Sequence, residues 1–134
     1  MRALKHALVW IALWAFWVFI SRGHHPTLFI DMVATAMLML ASAAAFYANI
    51  DVLVPRFWAT GRRLAWGAAF VVLVAGLAVV TTLVIAAFYD AAWGPDPDRY
   101  SFGMNVAMES AWIAIHALGG AVLMRSMGRV ARAS

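Results

Sequence analysis

The chain has 134 residues, of which 66% are hydrophobic and only 12% are charged, and it contains no cysteine. A soluble domain averages about 25% charged residues, and a globular protein this small has too little interior to hide so much apolar surface. The composition therefore predicts a membrane protein and excludes disulfides, thiolate catalysis and cysteine-based metal sites. The net charge of +4 forms no basic cluster interleaved with aromatics, so nucleic acid is not an expected partner.

Four apolar segments are long enough to cross a bilayer as helices, since a transmembrane helix needs roughly 20 mostly apolar residues. In chain order they cover about residues 4–20, 28–54, 64–88 and 104–124. Stretches rich in proline, glycine and charge separate them. We therefore expect one all-α domain over residues 1–134, with four transmembrane helices in an up-down bundle.

The first predicted span carries Trp10, Trp14 and Trp17 at spacings of four and three, so the three indoles share one helical face. Indoles favour the membrane interface, and anchoring in lipid is the preferred interpretation of this face. The alternative is an aromatic wall for a pigment, a quinone or a partner helix.

The second span repeats Thr35, Ser42 and Asn49 every seven residues, beside several alanines. Small residues let helix backbones approach, and hydroxyl or amide groups can bond across the contact. This pattern predicts a helix-packing interface. We expect Asn49 to bond a neighbouring helix and Pro55 to end the second helix, because residues before proline disfavour the helical conformation.

The basic residues predict the orientation of the spans. Eight of the ten fall on one side, at the amino terminus, between spans two and three, and after span four. Arg56, Arg62 and Arg63 form the middle group, and Arg56 or a terminal arginine is placed to neutralise Asp51. Both termini are therefore expected to be cytoplasmic, in the inner membrane of a bacterium.

The fourth span carries the clearest set of polar residues. The spacing of four and three is typical of a helix packing against neighbours, and it relates the following residues: Asn105, Glu109, Trp112, His116 and Gly119. Polar side chains inside a span usually face a partner or a cavity. Glu109, Trp112 and His116 are therefore the candidate cofactor-binding residues, with a tetrapyrrole, carotenoid or quinone as the group bound. The simpler alternative is a neutral imidazole and a protonated or paired carboxyl that only join helices.

Catalytic and metal sites are not expected. The chain has no phosphate-binding glycine loop, no GxSxG, no HExxH and no paired carboxylates within one turn of a span. His24 and His25 are adjacent, and no third ligand stands at helical spacing from them, so an exposed loop is the preferred interpretation. The first span lacks the membrane-embedded glutamate that small multidrug transporters use, so transport is a third choice.

A family resemblance rests on the end of span two, which reads F-Y-x-N-x-x-x-L-x-P-R-F. The matching residues are Phe46, Tyr47, Asn49, Leu53, Pro55, Arg56 and Phe57. This pattern resembles the input domains of LytS-like sensor histidine kinases, and the opening segment with His6, Trp10 and Trp14 is similar too. The resemblance implies a four-span input domain with cytoplasmic ends. Only ten residues follow Met124, so the kinase region of that family is not expected here, and Asp51 replaces its usual aromatic or apolar residue.

Two functional hypotheses follow. The preferred one is a non-catalytic accessory subunit that packs against partner membrane proteins, in a photosynthetic or respiratory complex for example, with membrane lipid bound. Small residues on a further face of span four suit a homodimer or a partner subunit: Ala107, Ala111, Ala114, Ala117 and Ala121. The alternative is a stand-alone sensory or regulatory membrane module derived from a LytS-like input domain.

Overall fold

The structure, a computed structural model, describes residues 2–22, 26–95 and 99–133, and the side chains of residues 4, 6–22, 26–95 and 99–122. All secondary structure in these ranges is helical. The elements are α1 (Arg2–Ser21), α2 (Leu28–Ala48), which continues directly into a π-helical segment (Asn49–Trp58), α3 (Arg63–Ala92) and α4 (Phe102–Ala133). The prediction of an all-helical chain with four helices is confirmed.

Among the residues that the structure describes, two helices are long and apolar enough to cross a membrane: Leu28–Trp58, which combines α2 with the π-helical segment, and Arg63–Ala92. A shorter apolar helix covers His6–Ser21. The helices extend beyond the predicted spans by a few residues at most ends, because helical geometry continues past the apolar segment into residues of ordinary helix propensity. Short connections join α1 to α2 and α2 to α3, as the stretches rich in proline, glycine and charge between the apolar segments predict.

The expectation that Pro55 ends the second helix is wrong. The chain stays helical through Pro55 to Trp58, but as a π-helix. The Ala59 N–H donates to the Val54 carbonyl at 2.9 Å and the Arg62 N–H to the Phe57 carbonyl at 2.8 Å, each five residues back. In an α-helix the proline ring collides with the carbonyl four residues earlier. The wider π turn moves that carbonyl aside, so the helix passes proline and ends at Trp58.

The buried core lies between α2, α3 and α4. It consists of small and branched side chains around two aromatic rings: Ala41, Ala45, Phe46, Phe70, Val74, Ala78, Ile113 and Ala117. Alanines at the crossing points let the helices approach closely, as expected for helix packing without a large hydrophobic driving force. Ala117 therefore belongs to this core, whereas Ala107 and Ala111 are exposed.

Two adjacent glycines on α4 have different surroundings. Gly119, predicted from its spacing to lie in a helix interface, is exposed, and a Cβ added there would meet nothing within 4 Å. A Cβ at Gly120 would lie 2.8 Å from Cε2 and 2.9 Å from Cδ2 of the buried Phe46 ring. The close contact between α4 and α2 thus falls one residue later than the spacing predicts.

The three tryptophans of α1 face the bundle, so lipid anchoring is not their main role. Each is partly buried and donates its indole N–H to another helix. Trp10 donates to the Tyr47 hydroxyl at 3.2 Å and Trp14 to the Met32 carbonyl at 3.0 Å, both in α2. Trp17 donates to Nε2 of His116 in α4 at 3.1 Å. The shared face of α1 is therefore the surface by which it attaches to the other helices.

Candidate functional site

A cavity of about 1050 Å³ lies at the end of the bundle that carries the α1–α2 and α3–α4 connections. Its walls come from the last turns of α1 and α3 and the first halves of α2 and α4. Polar and charged residues in its lining are Ser21, Asp31, Thr35, Thr82, Arg99, Asn105 and Glu109. Aromatic residues in its lining are Trp17, Tyr89, Trp93, Tyr100 and Trp112. A concave space of this size, lined by aromatic side chains and several polar groups, is typical of a small-molecule site.

Asp31 stands in the first turn of α2 and is only 1% exposed. Thr27 caps this helix, because its hydroxyl oxygen accepts the Ile30 N–H at 3.3 Å. The Ser21 hydroxyl, at the end of α1, lies 2.9 Å from Asp31 Oδ1. A carboxylate near a helix amino terminus is stabilised by the helix dipole, so the fold can retain a buried acid at this wall of the cavity.

Arg99 lies at the cavity with its charge already matched. Its guanidinium binds both carboxylate oxygens of Asp90, one of them at 3.2 Å, and lies over the Tyr89 ring at 5.7 Å. Asp90 lies just beyond the apolar segment 64–88, and the hydrogen bond from Arg99 lowers the pKa of its carboxyl below the ordinary value. Gly94, with a φ of 100°, turns the chain after α3 toward this pair.

Three buried polar atoms in the cavity lining have no hydrogen-bond partner among the described residues: Thr82 Oγ1, Glu109 Oε2 and Trp112 Nε1. Thr82 is 4% exposed. Its hydroxyl lies near the Glu109 carboxyl, but Thr82 Oγ1 and Glu109 Oε2 do not meet in hydrogen-bonding geometry. Buried polar groups in folded proteins are nearly always paired. Three unpaired atoms at one cavity therefore indicate a place where a further polar group can bind.

His116 lies beside the cavity, and its protonation state follows from its neighbours. The indole N–H of Trp17 can only donate, so Nε2 of His116 accepts and carries no proton. Nδ1 lies 2.9 Å from the Trp112 carbonyl, which can only accept, so Nδ1 holds the proton. The imidazole is neutral and both of its nitrogens are engaged. Binding a tetrapyrrole iron or magnesium through Nε2 would require breaking the Trp17 hydrogen bond.

The residues singled out on span four thus divide into two groups. Asn105, Glu109 and Trp112 line the cavity, whereas His116 joins α4 to α1 and Gly119 faces outward. Sequence patterns did not single out Thr82, a buried hydroxyl within the most apolar helix, or assign Asp31 to this site. An acid and a hydroxyl inside apolar segments were the signals that could have revealed both.

The packing residues predicted on the second span also divide by position. Thr35 lines the cavity, and the Ser42 hydroxyl donates to the Leu38 carbonyl of its own helix at 2.9 Å. Asn49, 1% exposed, accepts the indole N–H of Trp66 in α3 at 2.9 Å through Oδ1. The expected bond from Asn49 to a neighbouring helix is therefore present.

At the opposite end of the bundle, the residues that carry the family resemblance on α1 and α2 meet. Nδ1 of His6 is 2.9 Å from the Tyr47 hydroxyl, and the two rings stack at 5.8 Å. Trp10 contacts the Phe46 ring edge-on at 6.0 Å. Asp51 is exposed, and no ion pair joins it to Arg56 within the described part of the chain. His24 and His25 lie outside the described residues.

Comparison with protein-family models finds no match, and neither a curated protein nor a solved structure is similar to this chain. The resemblance to LytS-like input domains remains a prediction from the motif residues. Among the residues that the structure describes, no three histidine or acidic side chains come close enough together to hold a metal ion. The cavity is therefore the candidate functional site.

Proposed function

We propose that the chain is a non-catalytic sensory or regulatory module of four transmembrane helices, which takes a small ligand into the cavity that all four helices line. The observation that carries the proposal is the set of three buried, unpaired polar atoms in one cavity lining. A helix bundle that only supports a larger complex has no need for such a site, because unpaired buried polar atoms are costly.

The position of the cavity also supports a regulatory role. Its lining draws on all four helices, with Trp17 from α1, Asp31 from α2, Thr82 from α3 and Glu109 from α4. A ligand that contacts all of them can bias the packing of the whole bundle, which is how binding free energy becomes a conformational signal. Both termini are proposed to face the cytoplasm, where a partner protein would receive that signal.

Single cysteines test the proposed orientation, because the native chain has none. Ala92 ends α3 near the cavity and Ala59 follows the π-helical segment at the opposite end, and both are exposed. A membrane-impermeant maleimide added to intact spheroplasts is expected to label Ala92→Cys and to leave Ala59→Cys unlabelled until the membrane is permeabilised. Labelling in the reverse order would contradict the orientation, and equal labelling of both in intact spheroplasts would contradict the four spans.

Purification in mild detergent, followed by mass spectrometry of the intact particle, tests the regulatory role. We expect a second polypeptide in constant ratio to this chain. Ala86 lines the cavity and the neighbouring Ala87 is exposed outside it. Ala86→Phe, which narrows the cavity, is expected to change the amount of partner retained or its activity, whereas Ala87→Phe leaves both unchanged. A chain that purifies alone, or a partner indifferent to both variants, would contradict the proposal.

The accessory-subunit hypothesis is the second candidate, and one observation favours it. α4 exposes Ala107 and Ala111 on the same side as Leu118 and Val122, a small-residue surface on which another helix could pack closely. In this case the partner would be retained equally with Ala86→Phe and Ala87→Phe, and Ala111→Phe would release it.

A further inference from the structure

We infer that the cavity binds an organic ammonium ion carried on an apolar or aromatic body. This inference rests on the proposed function, since it names the class of ligand for the same cavity. The charges come first. Glu109 contributes a carboxyl group to the lining, and the charge of Arg99 is matched by Asp90. The balance of the described lining therefore favours a positively charged ligand.

The aromatic rings of the lining point to the same class. Five aromatic side chains line the cavity, and all of them are tryptophan or tyrosine: Trp17, Tyr89, Trp93, Tyr100 and Trp112. The face of an indole ring attracts cations, and the attraction strengthens when water is excluded. The Arg99 guanidinium already lies over the Tyr89 ring, and Trp93 and Tyr100 are exposed, so the partly buried Trp17 and Trp112 are the rings best placed to contact a ligand cation. Together with the Glu109 carboxyl group they suit an ammonium group attached to apolar carbon, whereas a bare metal ion would meet too few oxygen ligands here.

The unpaired atoms define where the polar group would bind. An ammonium N–H can donate to Glu109 Oε2 and to Thr82 Oγ1, which lie near one another and lack partners. Trp112 Nε1 is a donor, so it would pair with an oxygen elsewhere on the ligand, such as a hydroxyl or ester oxygen. The volume of about 1050 Å³ leaves room for a body of many carbon atoms beside this polar end.

A matched pair of probes tests the inference. 4-Phenylbutylamine and 4-phenylbutanol have nearly the same body, but at neutral pH only the amine carries a charge. Binding of each to the full chain in phosphatidylcholine nanodiscs is measured by calorimetry, with empty nanodiscs as the background. We expect the amine to bind at least about 10-fold more tightly than the alcohol, as a hydrogen bond to a charged group predicts.

Variants assign the binding to the cavity. Glu109→Gln preserves the shape of the side chain. It is expected to weaken binding of the amine about 10-fold or more and to have little effect on binding of the alcohol. Thr82→Val, which replaces the hydroxyl by a methyl group, is expected to weaken binding of the amine a few-fold. Asp51→Asn removes an exposed carboxylate at the opposite end of the bundle and should leave both affinities unchanged. Retained alcohol binding shows that a variant is folded.

The outcomes separate this inference from the proposed function. Equal binding of amine and alcohol, binding of neither, or amine binding indifferent to both Glu109→Gln and Thr82→Val would overturn the ammonium site. A partner that still responds to Ala86→Phe would then leave the regulatory proposal standing. Nanodiscs containing phosphatidylethanolamine identify the source of the ligand. If phosphatidylethanolamine displaces the amine, the natural ligand is the lipid headgroup. If the amine stays bound, the natural ligand is a free amine, and either result supports the site.

Discussion

Replacing Gly120 by alanine is expected to destabilise the fold by about 1–3 kcal/mol, the usual cost of forcing extra volume into a packed interior. A methyl group at this position would lie 2.8 Å from an atom of the Phe46 ring, and that ring is buried between α2, α3 and α4. It cannot move aside without displacing other core side chains. Unfolding in a graded detergent mixture, followed by tryptophan emission, measures the change in stability.

Gly119 provides the matched control, because a methyl group there meets nothing within 4 Å. Gly119→Ala is expected to be neutral or to stabilise the helix by up to about 1 kcal/mol, since alanine has the higher helix propensity. Combining Gly120→Ala with Phe46→Leu should recover part of the loss, because the smaller side chain makes room for the methyl group. Equal effects of the two glycine variants would contradict the packing of α4 on α2.

Ile113→Ala is expected to cost about 2–5 kcal/mol, with the lower half of that range favoured in lipid. Ile113 is fully buried at the centre of the core, where its side chain fills the space between α2, α3 and α4. Truncation would leave a cavity whose lining loses its van der Waals contacts. The same unfolding experiment in detergent measures the cost.

Ile115, two residues later on the same helix, provides the control. It undergoes the same change of side chain, with the same change in helix propensity, at an exposed position. Its side chain is 68% exposed, so Ile115→Ala should change stability by less than about 0.5 kcal/mol. If the two isoleucine variants lost the same stability, the rotation of α4 about its own axis would differ from the one described. The glycine pair and the isoleucine pair thus test the same rotation by opposite means, adding volume in one case and removing it in the other.

Spacing alone was sufficient to predict several features of the fold. The helical content followed from the apolar segments, and the seven-residue repeat of Thr35, Ser42 and Asn49 placed three polar residues on what proves to be a buried side of α2. Such repeats are informative because they depend only on the geometry of one helix. The tryptophan face of α1 was recognised for the same reason, although its partner was assigned to lipid.

The features that could not be predicted depend on how one helix lies against another. An indole suits both a membrane interface and a helix contact, and only the position of α2 shows that Trp14 reaches the Met32 carbonyl. Gly119 and Gly120 differ by 100° around α4, and the sequence does not say which of them faces Phe46. The passage of the helix through Pro55 was missed because residues before proline usually leave the α-helical conformation, whereas here the chain continues as a π-helix.

The cavity itself is the least predictable feature. Glu109 and Trp112 were recognised by their spacing on α4, but the other walls of the cavity in front of them come from α1, α2 and α3. Asp31 and Thr82 come from these two helices, at positions 51 residues apart in the chain. A single sequence contains no information on which of its polar residues share a void, so the site required the arrangement of helices.

The three indole hydrogen bonds of α1 constrain how this helix can move. Trp10, Trp14 and Trp17 hold it to partners on two different helices. Sliding by one helical turn, 5.4 Å, would break all three bonds at once, since a hydrogen bond tolerates only a few tenths of an ångström. Trp17 alone among them lines the cavity. We therefore expect a ligand in contact with Trp17 to tilt α1 about the contacts of Trp10 and Trp14 with α2, rather than to slide α1 along its own axis.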